Sequence, residues 1–170
     1  MPLKYAYHPG NVAHSSATEV AETMETVAQS LSIELVPLRG ATSCGAGIIR
    51  QASRRLQLTL NARTFAMAEE LGLDIITPCA ATAGNLHEDL TVLKQDPNLL
   101  GEINEVLERT CGRSFSGGTE VHHLLHVIVD EIGLGKLEAL ARNPIDFDVA
   151  GFYGPNIQQM GACGGDDVHD

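Results

Sequence analysis

Ile33-Glu34-Leu35-Val36-Pro37-Leu38-Arg39-Gly40-Ala41-Thr42-Ser43-Cys44-Gly45-Ala46-Gly47 joins a short, largely apolar run to a glycine-rich loop that carries a thiol. The apolar run, 33–38, reads as a strand covered on both faces, as strands of a parallel sheet are. A helical stretch over 48–54 follows the loop. The same order recurs downstream, where the run 73–77 leads through Thr77-Pro78-Cys79-Ala80-Ala81-Thr82 into a predicted helix over 80–94. In an open parallel sheet such loops gather at the carboxyl ends of the strands, where this architecture binds ligands. The helix N-termini that follow favour negative charge, a thiolate included. Two cysteines with 34 residues between them are thereby aimed at one pocket.

Working outward, 3–7 is a β-prone run stopped by His8-Pro9-Gly10. The stretch 15–31 reads as a helix, with Val20, Met24, Val27 and Leu31 at helical spacing. Ser15 or Ser16 is the expected cap, with Glu19 completing a capping box from Ser16. Helices are also expected over 58–71, ended by Gly72, over 99–109 after Asp96-Pro97, over 119–132 and over 134–141. A last strand is expected over 147–153, ended by Gly154-Pro155. Strand, loop and helix alternate throughout. The fold expected is therefore α/β, a doubly wound, mostly parallel sheet of roughly four strands with helices on both faces. Residues 1–146 would form that domain, and 147–170 the first strand and tail of a truncated second one. An edge exposing Phe147, Val149 and Phe152 would be an association hazard, so a second subunit or self-association is expected.

Composition narrows the function. A formal charge of −11 with 11 Lys and Arg lacks the clustered cations that bind a phosphate backbone, so nucleic acid is not an expected partner. Aromatic residues make up 4% of the chain and Trp is absent, which disfavours base-stacking surfaces and aromatic cages. There is no long apolar span and no signal-peptide pattern at the start, so the expected location is cytoplasmic, with membrane association only through a partner. Four scattered cysteines do not make a secreted disulfide scaffold. Gly40, Gly45 and Gly47 do not form a dinucleotide fingerprint and no phosphate-cradling Gly-Lys-Ser/Thr is present, which argues against NAD and against other nucleotides. Hydrolase chemistry finds no Gly-x-Ser-x-Gly elbow.

Two readings of Cys44, and equally of Cys79, follow from these residues. Each is a small buried hydrophobe in a tight loop, or a thiolate activated by the helix beyond it, and exposure separates the two. If the loops abut, the pair could close a reversible disulfide, which needs Cα atoms within about 7 Å. His122 and His126 have metal-ligand spacing if both lie on a helix, although no Glu completes a zinc-protease motif; the alternative is that they edge an apolar stripe. Cys111, before Gly112 at an expected helix end, reads as structural. Cys163 has no neighbouring cation to activate it.

The chain resembles the cysteine-rich (CCG) domain family, in its heterodisulfide reductase and succinate dehydrogenase branches. The likeness rests on Tyr5-Ala6-Tyr7-His8-Pro9-Gly10, Ser43-Cys44-Gly45, Asn61-Ala62-Arg63, Ala68-Glu69-Glu70-Leu71-Gly72-Leu73-Asp74, Thr77-Pro78-Cys79, Val121-His122-His123-Leu124-Leu125 and Phe152-Tyr153-Gly154. The resemblance implies an oxidoreductase subunit that passes electrons between an iron–sulfur or flavoprotein partner and a disulfide or quinone. It also implies an iron–sulfur cluster, or zinc in some relatives, held by a cysteine after the first glycine, a Cys-Cys-Gly and a Cys-x-x-Cys. Here Asn11, Ser43 and Thr82 stand at three of those five ligand positions, and Cys44 and Cys79 keep two. Neutral oxygen donors compete poorly for soft iron, so a multi-iron cluster is disfavoured, whereas Cys44 and Cys79 with His8 and His14 could complete a tetrahedral zinc site. The expectation is a subunit with a degenerate cluster site. The alternative is a non-catalytic docking subunit with structural zinc or a redox-active Cys44/Cys79 pair.

Overall fold

The computed structural model describes residues 3–11, 13, 16–143, 146–151 and 154. Four strands, β1 (Leu3–Tyr7), β2 (Ile33–Pro37), β3 (Ile75–Thr77) and β4 (Val121–His123), form one all-parallel sheet in the order β2-β1-β3-β4. The chain starts in the middle, winds out to β2 and then winds the other way to β3 and β4. The seam between β1 and β3 is therefore the topological switch point.

Alternation along the central strands loads both faces, because successive side chains point to opposite sides. Ala6, Ile75 and Val121 face one layer, built from α3 (Arg54–Glu70), α4 (Ala80–Gln95) and α5 (Pro97–Cys111). Phe65 and Phe115 pack tilted at its centre with ring centroids 5.3 Å apart. Tyr5, Tyr7 and Ile76 face the other layer, where α1 (Thr18–Leu31) contributes Met24, Ala28 and Leu31. Spacings of four and three residues place those three side chains on one helical face. Helices on both faces of a parallel sheet are what the sequence predicts.

Several local expectations change. β2 lies at the sheet edge, and the exposure of Glu34 and Pro37 marks it as half-covered where a strand buried on both faces was expected. Proline suits an edge because no ladder donor is needed on its open side. α1 begins after Ala17 with no side-chain cap, so Ser16 does not form the expected capping box, and Ser15 lies outside the described residues. The expected helix over 119–132 splits: Val121–His123 is the fourth strand, followed by α6 (Leu124–Val127) and a π-helical turn, Ile128–Ile132. A three-residue strand is too short for its period to stand out against the helical stripe that follows. α7 (Leu134–Leu140) then lies on the surface with no buried residue. No strand forms over 147–151, where Phe147 and Val149 are each 72% exposed; Phe152 and Tyr153 lie outside the described residues. α2 (Ile48–Ala52) is a single short helix before α3. The expected ends at Asp96 and Gly112 hold: the Asp96 carboxylate accepts from the N–H groups of Asn98 and Leu99, and Gly112 takes a left-handed conformation.

Candidate functional site at the carboxyl edge of the sheet

Three loops, leaving β1, β2 and β3, meet at the carboxyl edge. Gly10 makes the closest approach. A Cβ placed on it would stand 2.5 Å from Cys79 Cβ, 3.2 Å from its Sγ and 3.5 Å from Thr82 Oγ1, and its φ is +90°. Only glycine tolerates both that backbone and that contact. One residue on, the Asn11 side chain donates an N–H to Cys44 Sγ at 3.5 Å. The β1 loop thus touches the β3 loop through Gly10 and the β2 loop through Asn11. Ser43, beside Cys44, accepts the Gly45 N–H on its hydroxyl at 3.2 Å.

The two cysteines sit differently. Cys44 is fully buried, and three residues separate it from α2, so it does not stand at a helix N-terminus. The buried reading holds for it. Cys79 is half-buried and is the N-cap residue of the sixteen-residue α4, its N–H bound to the Thr77 hydroxyl at 3.2 Å. Both are free thiols.

What holds the Cys44 loop is a buried polar lattice that the sequence reading missed. The Cys44 carbonyl accepts N–H groups from Asn61, at 2.9 Å, and from Asn85. Asn61 gives its second N–H to Asp89 at 2.6 Å, and Gln57 donates to Asn85 at 2.8 Å. Arg54 pairs with Asp89, and Arg50 grips Glu88 with two bonds of 2.6 and 2.7 Å at the solvent side. Burial pushes the Asp89 carboxyl above its usual range, against the opposing pull of Asn61 and Arg54. Gln57 with Asn61, and Asn85 with Asp89, are pairs four residues apart on the packed faces of α3 and α4. Polar i, i+4 pairs on two otherwise buried helix faces were the available signal.

Two histidines strap the same edge. His8 accepts the Gly10 N–H on Nδ1 at 3.1 Å, so its Nε2–H donates to the Thr42 carbonyl at 3.0 Å. His123 repeats the arrangement, taking the Leu125 N–H on Nδ1 at 3.2 Å and donating from Nε2 to the Pro78 carbonyl at 3.1 Å. Burial, with His126 nearby, lowers the His123 pKa against the effect of the Pro78 bond. With both ring nitrogens engaged, His8 has no lone pair for the expected zinc site, and His14 lies outside the described residues. His122 and His126 do not share a helix: His122 is on β4, edge-on to Tyr5 at 5.7 Å, and His126 is on α6. Cys111 ends α5 with its thiol on the Leu107 carbonyl at 3.2 Å, a structural role, and Cys163 is outside the described residues.

Among the described residues the donor set does not fit an iron–sulfur cluster. Asn11 turns an N–H donor, not a lone pair, toward the Cys44 sulfur. The Thr82 hydroxyl is fully buried and has no hydrogen-bond partner. Among the described residues no group of three or more His, Cys, Asp or Glu side chains is placed to hold a metal. Two thiolates with neutral oxygens fall short of the four that a four-iron cluster takes.

A doubly wound parallel sheet that brings two free cysteines to its carboxyl edge, from the loops after β2 and β3, defines a thiol-bearing α/β domain. The chain belongs to the cysteine-rich (CCG) domain family, whose profile matches residues 5–86. It is 32% identical over 130 residues to a subunit of the Ferredoxin/F(420)H(2)-dependent CoB-CoM heterodisulfide reductase of Methanosarcina acetivorans, covering 76% of this chain and 43% of that protein. It is 30% identical over 155 residues to the 8-methylmenaquinol:fumarate reductase membrane anchor subunit of Wolinella succinogenes, covering 91% and 53%. A heterodisulfide-reductase-like protein of Archaeoglobus profundus matches at 27% over 145 residues, covering 85% and 48%. The chain spans about half the length of the curated relatives it matches. No helix among the described residues is long and apolar enough to cross a membrane.

Proposed function

We propose that this chain is a subunit of a redox complex of the heterodisulfide reductase or fumarate reductase type, in which its own cluster site is degenerate. The observation that carries the reading is the Asn11 to Cys44 Sγ hydrogen bond, which fills with an amide the space where the family implies a ligand. The loop framework is kept, while three of five donors are exchanged for Asn11, Ser43 and Thr82. In this reading electrons are carried by iron–sulfur or flavin groups of partner subunits, and the chain contributes a rigid docking surface. Any membrane contact is peripheral and runs through a partner. Residues 147–170 are proposed to open a second domain of the same kind.

The test is iron and acid-labile sulfide content of protein purified without oxygen, with absorption spectra before and after reconstitution. The expected result is far less than one cluster per chain. Stoichiometric iron and sulfide overturn the degenerate-site reading. Restoring thiols with Asn11→Cys, Ser43→Cys and Thr82→Cys together should raise iron uptake to about one cluster per chain, since the loops are already placed.

A second reading, a redox pair of Cys44 and Cys79, draws support from the convergence of their loops on Gly10 and Asn11. Mass spectrometry after mild oxidation reads it directly: a Cys44–Cys79 bridge supports the pair, and separate oxidation of Cys79 alone removes it.

A further inference from the structure

After α6 the chain forms an arm, the π-helical turn Ile128–Ile132 followed by α7, that is held to the sheet at few points. α7 has no buried residue, and its Leu134, Leu137 and Leu140 are exposed. The π-turn packs Ile128 and, in part, Ile132 against the layer that contains Tyr5 and Ile76. Its polar attachment is a hydrogen bond from the Tyr5 hydroxyl, on β1, to the Glu131 carboxylate. Among the described residues no ion pair and no other side-chain hydrogen bond joins 128–141 to another element. Burial first, and the Glu131 bond second, raise the Tyr5 pKa, so the phenol stays protonated and remains the donor. Turns of π geometry are rare and occur frequently at functional sites.

The arm continues α6, and the first turn of α6 sets the strap on the Cys79 loop. The Leu125 N–H occupies His123 Nδ1 at 3.2 Å, which leaves the ring proton on Nε2, and Nε2 donates to the Pro78 carbonyl at 3.1 Å. Pro78 is the residue before Cys79. The Tyr5 ring lies edge-on to His122, so the bond to Glu131 also borders the strand that carries the strap. A short helix moves as a unit, because its backbone bonds are internal. Lifting the arm therefore turns α6, withdraws the Leu125 N–H and frees His123 to change tautomer. The donor then leaves the Pro78 carbonyl, since which ring nitrogen carries the proton is set by the bond the other nitrogen makes.

We propose that the Tyr5–Glu131 bond is a latch with two positions. Closed, it holds the arm on the sheet and keeps His123 on the Cys79 loop; open, it releases both and uncovers the Cys79 thiol. The device concerns that free thiol and stands even if the complex assigned above is wrong. The experiment compares the whole chain with Tyr5→Phe and Glu131→Ala, each also in a His123→Gln background, by amide hydrogen exchange over 128–141 and by iodoacetamide labelling mapped to single cysteines. Tyr5→Phe keeps the buried ring and Glu131 is exposed, so both variants keep the fold. Either latch variant should speed exchange in the arm about tenfold, the population change expected of one lost hydrogen bond to a charged group, and Cys79 labelling about threefold. In the His123→Gln background the latch variants should still free the arm but change Cys79 labelling no further. Arm exchange equal to that of the parent removes the latch, and a freed arm with unchanged Cys79 labelling removes its link to the thiol. An undiminished response in the His123→Gln background, or buried Cys44 speeding up as much as Cys79, overturns the proposal by showing another route or general unfolding.

Discussion

The loops carrying Cys44 and Cys79 start from the same design, a strand end passing into a helix, and reach opposite solutions. The Cys44 loop is held from outside itself: its carbonyl hangs on two asparagines from α3 and α4, far apart in sequence, and its sulfur is capped by Asn11 from the loop after β1. The Cys79 loop is held chiefly by its own neighbours, through the Thr77 hydroxyl and the first turn of α4, with one hydrogen bond from outside, the His123 Nε2–H on the Pro78 carbonyl. The contrast teaches that one cysteine depends on the tertiary fold for its position and the other mainly on local turn chemistry. Damage to the helix layer should therefore reach Cys44 first.

The largest break in that symmetry should come from Asp89→Ala. It removes the carboxylate that orients Asn61 and pairs with Arg54, leaving buried donors unmatched, and should cost about 3 to 5 kcal/mol in urea unfolding. A midpoint unchanged from the parent would mean that the lattice does not support the Cys44 loop. Next is Gly10→Ala, which drives a methyl into Cys79 at a positive φ and should cost about 2 to 3 kcal/mol, with the environment of Cys79 disturbed more than that of Cys44. Alkylation sharpens the comparison in the native protein. Iodoacetamide should label half-buried Cys79 at least about tenfold faster than Cys44, whose modification requires local opening. Peptide mapping that finds equal rates would contradict the burial difference.

The smallest effect is acid sensitivity through His123. Its folded pKa lies below the ordinary 6.5, so below pH 6.5 the unfolded chain takes up the proton first. The contribution is complete above 6.5 and is lost as pH falls toward the folded value. His123→Gln should flatten that part of the stability profile; an unchanged slope would place the sensitivity elsewhere.

The parallel sheet, the two-faced helix packing and the placing of both cysteines in strand-to-helix loops were legible, because apolar runs and glycine-rich junctions mark them in one dimension. The fourth strand was not. Val121–His123 is three residues long and merges with the apolar stripe of α6, while the visibly β-like stretch 147–151 forms no strand. Short strands are decided by the sheet that receives them. The replacement of ligands at Asn11, Ser43 and Thr82 could be read directly, but not what those residues do instead. That Asn11 turns its N–H toward sulfur, and that His8 spends both nitrogens on the backbone, are outcomes of three-dimensional geometry.

The histidine straps have a mechanical consequence. His8 ties the β1 loop to the β2 loop, and His123 ties the end of β4 to the β3 loop, so the sheet edge behaves as two braced halves. The junction between the halves, β1 against β3, aligns two residue pairs where β1 and β2 align five. Braced blocks joined by a short seam concentrate their compliance at that seam. It is there that Gly10 lies against Cys79, so any spreading of the two halves under load, on partner docking or on heating, would register first as a change in how freely that one sulfur meets solvent.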